Sequence, residues 1–115
     1  MVIALSAFAL LSATAVVGAM IGLKTIKSEP SPALMSFLHF MLAGVGATLL
    51  AEIAFRAGAD GALKIALYVF AAAAAGGFVL LSFRMMETYP PTFLVIGHAL
   101  AGVGGLGVLA VAALA

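Results

Sequence analysis

Two residues in this sequence stand out for the chemistry they could do where they lie. His39 and His98 are the only histidines, and each interrupts a long run of apolar residues. An imidazole can donate a hydrogen bond, shuttle a proton or ligate a metal through a ring nitrogen. The remaining titratable charges, Lys24, Lys27, Glu29, Glu52, Arg56, Asp60, Lys64, Arg84 and Glu87, gather instead into three clusters. Cys is absent, which excludes thiolate ligation and disulfides. No nucleophile-base arrangement, paired acids or phosphate loop is present, so the chain is expected to work as a carrier or a subunit rather than as a catalyst alone.

The surroundings of the two histidines match. Each follows a proline by seven residues, Pro32 before His39 and Pro91 before His98. If each proline opens a helix, each imidazole lies about 10 Å along it, at 1.5 Å per residue. The small residues Ala43 and Gly102 stand at i+4, and Gly46 and Gly105 at i+7, positions that share a helical face with the histidine. Small side chains there predict a slot beside each imidazole, wide enough for a flat ligand. The plainer alternative is that they serve close helix packing, as small-xxx-small motifs do in membranes.

The elements that must position these residues follow from the charge clusters, which divide the chain into four apolar runs: 1–23, 33–54, 62–83 and 92–115. Each is near the roughly 20 residues that a helix needs to cross the hydrocarbon core. Hydrophobic residues make up 66% of the 115 positions and charged residues only 8%. Soluble domains carry about 25% charge, so that class is excluded. The expected fold is an all-α integral membrane protein, a single transmembrane domain built as a four-helix up-down bundle with short connections. The first run lacks the basic start of a signal peptide and is read as a retained span. Net charge is +1 with no basic patch, so nucleic acid is not an expected partner; the lipid bilayer is.

The halves are alike at an offset of 59 residues, which brings Pro32 onto Pro91, His39 onto His98, Gly46 onto Gly105 and Gly18 onto Gly77. Two repeated helical hairpins related by an axis along the membrane normal would give this pattern. Helices 2 and 4 are then diagonal, and their histidines face one another at one depth. An ionisable group at membrane depth is costly and reads as functional by default.

On these motifs, P-x6-H-x3-[AG]-x2-G in helices 2 and 4, and on its four apolar segments, the chain resembles the small membrane cytochromes b, of the cytochrome b561-like kind. The resemblance implies one b-type haem with iron bound by His39 and His98, cradled by Ala43, Gly46, Gly102 and Gly105. Family members commonly hold more than one ligand pair, whereas this chain offers one. It therefore fits an electron carrier, or a haem-bearing anchor of a larger respiratory or photosynthetic oxidoreductase, better than a free-standing transmembrane reductase. A quinone is a compatible partner.

Arg84 is the expected partner of the haem propionates, because a guanidinium grips a carboxylate with two parallel bonds. Lys24 and Lys27 lie on the same side. One extra positive charge puts the first and third loops in the cytoplasm and the termini outside a bacterial inner membrane. Glu52 and Arg56, at i and i+4, read as a surface pair. Tyr68 and Tyr89 read as interfacial anchors, and the methionines as core filler. Two rivals to haem remain: a cofactor-free structural subunit, and a (bacterio)chlorophyll-binding accessory subunit. A small multidrug exporter shares only the size, since no charge lies in the first span.

Overall fold

The computed structural model describes residues 2–114, and four helices account for most of them: α1 Val2–Ile26, α2 Ala33–Ala54, α3 Gly61–Met85 and α4 Thr92–Leu114. Residues 1 and 115, at the ends of the first and last apolar runs, lie outside the described residues. All four helices are long and apolar enough to cross a membrane. Packed side by side, they form an up-down bundle 45 Å long. The hairpin pairs α1–α2 and α3–α4 pack most extensively, α1–α4 less and α2–α3 least, while α1–α3 and α2–α4 are diagonal.

The boundaries follow local chemistry. Pro32 and Pro91 open α2 and α4, and their carbonyls accept from Met35 and Leu94 at 3.1 Å in both cases. Proline suits a helix start because its fixed φ is already helical and its missing N–H would find no partner there. Asp60 caps α3 by accepting from the Ala62 N–H at 2.9 Å, which supplies one of the unpaired donors of a first turn. Helices α1 and α3 run past the apolar stretches to Ile26 and Met85 and take in Lys24 and Arg84, cations favoured near the negative helix end.

Both helices close in the same way. Ser28 and Glu87 adopt φ of 54° and 55°. The N–H groups that follow, of Glu29 and Thr88, donate to Lys24 and Phe83 at 2.8 and 3.0 Å. This closure usually takes glycine, because a side chain in that conformation costs about 1 kcal/mol. The 59-residue offset thus reappears in backbone geometry.

The bundle has a packed end and an open end. Its core consists of Ala4, Ala7 and Leu11 of α1, Leu50 and Ile53 of α2, Ala66 of α3, and Leu109 and Ala113 of α4. All of these lie toward the second loop and the termini. Between the histidines and the first and third loops, Val95 is the one buried residue among those described. Methionines do not fill the core as expected. Met41, Met85 and Met86 are exposed, because the helices are apolar all round and the central positions are taken by Ala, Leu and Gly.

Leu50 and Leu109, 59 residues apart, are both fully buried. Leu50→Ala and Leu109→Ala should each destabilise the bundle by about 1–3 kcal/mol, less than in a water-soluble core, because lipid is as apolar as leucine and only the packing part of the loss survives. Unfolding in mixed detergent should show similar losses for the two, and neither should approach the effect of the other twice over.

Candidate functional site

The two imidazoles lie where the packed core gives way to the open end. Their ring centroids are 6.1 Å apart, with planes inclined at 71°. Each ring also bonds to the neighbouring helix of its own hairpin. His39 Nδ1 lies 3.0 Å from the Thr14 carbonyl oxygen of α1, and His98 Nδ1 lies 2.7 Å from that of Ala73 on α3. A carbonyl can only accept, so Nδ1 is the protonated nitrogen and donates; in the neutral ring Nε2 keeps its lone pair. The bond spans 25 residues in both hairpins.

A glycine makes each bond possible. A carbonyl inside a helix accepts from the N–H four residues on and keeps a second lone pair. A side chain at i+4 would cover that lone pair, and here the residue is Gly18 after Thr14 and Gly77 after Ala73. A Cβ at Gly18 would lie 2.7 Å from His39 Cε1, and one at Gly77 would lie 3.1 Å from His98 Cε1. The helices that lack a histidine thus shape the site as much as those that carry one.

Around the imidazoles is a cavity of about 980 Å³, lined by all four helices and by the first and third loops. Small residues of α1 and α3 border it: Thr14, Ala15 and Gly18 on one side, Ala73, Ala74 and Gly77 on the other. Pockets for small molecules commonly span about 300–1,000 Å³, so there is room for a large ligand. Among the described residues, no third His, Cys, Asp or Glu joins the pair to make a metal-binding cluster.

The predicted cradle residues fall into two groups. Ala43 and Gly102 line the cavity. Gly46 and Gly105 are buried one turn deeper, where a Cβ would meet Leu11 Cγ at 2.8 Å and the Phe70 ring at 3.0 Å. Leu11 and Phe70 are themselves 59 residues apart. Arg84 stands at the loop end of the cavity, where its guanidinium donates to Ser31 Oγ and to the Ser31 carbonyl, both at 2.9 Å. Glu52 and Arg56 form their pair on the exterior at 2.6 Å, well away from the imidazoles. Tyr68 is exposed, and Tyr89 lines the cavity mouth.

Comparison with protein-family models, curated proteins and solved structures returns no match. The site must be read from its own geometry.

Gly18 and Gly77 were visible in the sequence only as a repeat match. Their contact with histidines of another helix could have been sought by asking which small residue of α1 lies opposite a given level of α2. In ¹⁵N-histidine NMR, Gly18→Ala should displace the His39 Nδ1 resonance by breaking its bond to Thr14. Gly77→Ala should move His98 less, as its contact is looser. Gly44→Ala, with open space at its Cβ, should move neither; an equal response from Gly44→Ala would remove the local contact as the cause.

Proposed function

We propose that this chain is a membrane-embedded haem protein, an electron carrier or the haem-bearing anchor of a larger oxidoreductase, in which His39 and His98 hold one b-type haem from its two faces. The facing pair of imidazoles carries this reading. Ring nitrogens bind metals at about 2.0–2.1 Å, and a ring centre lies roughly 1.1 Å behind its nitrogen, so one ion between two imidazoles sets the centroids about 6.3 Å apart. The pair here stands at 6.1 Å. Metal-ligating histidines almost always donate their other ring nitrogen to a carbonyl or carboxylate, which fixes ring and tautomer. Both of these do so.

Two imidazoles alone make a poor site for a bare ion, since structural zinc takes four protein ligands and catalytic zinc three. A macrocycle brings the missing ligands with it, and the small residues of α1 and α3 leave room for its edges. When bound, the haem supplies a one-electron couple. The protein binds and orients it, keeps water from it, and fills both axial positions, which favours electron transfer over binding of oxygen or carbon monoxide. Chlorophyll is less well served: it takes one histidine per macrocycle, and two macrocycles do not fit between rings 6.1 Å apart. The cofactor-free reading explains the bonds to Thr14 and Ala73 but leaves the cavity without a purpose.

Membrane embedding rests on the exterior. Large apolar side chains such as Val16, Leu34, Phe37, Ile65, Phe93 and Val111 face outward on all four helices, far beyond the few hundred Å² of apolar patch that a soluble monomer exposes. Single cysteines at Ala57, in the second loop, and at Thr88, in the third, should react with an impermeant thiol reagent from opposite sides. Labelling of both from one side would remove the antiparallel spans.

The purified protein, produced with ample haem, should show the sharp visible bands of low-spin haem, unaltered by carbon monoxide. His39→Ala and His98→Ala should each abolish them. Imidazole planes inclined at 71° stabilise different iron d orbitals and leave these close in energy, so the oxidised protein should give a strongly anisotropic low-spin EPR signal. A colourless wild-type protein, or a spectrum that survives either substitution, would sink the proposal.

A further inference from the structure

The likeness between the two hairpins fails along one line, the seam between α2 and α3. On the α1–α4 seam, Gly22 admits Val95, whose Cγ1 would lie 3.5 Å from a Cβ at Gly22, and Val95 is buried. The positions that correspond on α3 and α2 are Leu81 and Ser36, which both line the cavity. One turn nearer the histidines, Ala19 and Ala99 on the first seam correspond to Phe78 and Phe40 on the second, whose rings meet at 6.1 Å. At the loop end, Thr25 and Pro90 correspond to Arg84 and Ser31, the pair joined by two hydrogen bonds. Thr25 bonds only within its own helix, to the Ile21 carbonyl at 2.8 Å. Three substitutions of kind thus fall on one seam, and that seam is the least packed of the four. Close helix contact is replaced there by an aromatic pair and a polar bond, both of which can part without opening a void in the core.

We infer that the α2–α3 seam is a lateral door through which a flat, apolar macrocycle bearing carboxylates passes from the bilayer into the cavity, with Phe40 and Phe78 as its leaves and the Arg84–Ser31 bond as its latch; the inference rests on the haem reading. The alternative route, through the loop end, is lined by Glu29 and Glu87, whose charge repels an arriving carboxylate. The seam offers an apolar path with one cation, Arg84, at its head. The latch also explains its own release. Ser31 gives the guanidinium two neutral acceptors, whereas a propionate offers a charge-assisted pair about twice as strong. An arriving carboxylate therefore takes Arg84 from Ser31 and is held by the group that had closed the door.

The test uses the full chain, freed of haem and reconstituted in liposomes, with haemin added to the lipid and the low-spin bands followed in time. Ser31→Ala should load about tenfold faster, the change that loss of one or two neutral hydrogen bonds allows, and reach the same final absorbance. Phe78→Ala should also load faster. Thr25→Ala, on the opposite seam, should load at the wild-type rate. Arg84→Gln should load quickly but surrender haem faster to a competing apoprotein, and its midpoint potential should fall, since a nearby cation favours the reduced iron. Wild-type loading rates in both Ser31→Ala and Phe78→Ala, or equal acceleration by Thr25→Ala, would overturn the door while leaving the haem site standing. A wild-type protein that never acquires the bands would overturn the haem site and the door with it.

Discussion

The hydrogen bond from a histidine Nδ1 to a carbonyl already engaged in a helix is the contact on which the arrangement depends. It uses the spare lone pair of a backbone group, so α1 and α3 need supply no polar side chain to an apolar interior. It demands a glycine one turn on, at Gly18 and Gly77, and so brings the helices close at that level. It also settles which nitrogen faces the partner ring. An unpaired polar group in hydrocarbon is expensive, and no buried side-chain nitrogen or oxygen among the described residues lacks a partner. The two histidines are therefore affordable in the interior only in the orientation that leaves Nε2 available.

From that contact the division of the bundle follows. Toward the second loop, Leu11, Leu50 and Leu109 close the centre. Toward the first and third loops, small residues on α1 and α3 keep the centre open. Both halves are built from apolar residues of similar kinds, and the difference lies in size and placement. Four helices that meet tightly at one end and part at the other form a vessel whose floor is the leucine layer and whose fittings are the imidazoles.

Much of this was legible in the sequence, for reasons that differ from residue to residue. The helices could be read because charge is confined to the connections and because Pro32 and Pro91 mark two starts. The pairing of His39 with His98 could be read because equal distances from equivalent prolines imply equal depth. The roles of the glycines were not all legible. Gly46 and Gly105 share a face with the histidines and were expected beside the ligand, but Leu11 and Phe70 of the neighbouring helices reach into them. Face arguments say which way a position points and not what the next helix brings to it. Gly18 and Gly77 were hidden for the same reason, since their partners stand 21 residues on, in another helix. The asymmetry of the seams escaped because matching a repeat draws attention to likeness, and here the departures from likeness carry the information.

The matched hairpins bear on how such a protein comes into being. Each hairpin holds its own histidine by a bond internal to itself, so each half is ready before it meets the other. In membranes, helices insert first and associate afterwards. Two half-sites prepared independently need only one shared ligand to become a pair, and the second loop serves as a tether that keeps them near. The chain has the logic of a dimer whose subunits were joined end to end. Once joined, the halves no longer had to be identical, and a symmetric vessel could acquire a front and a back.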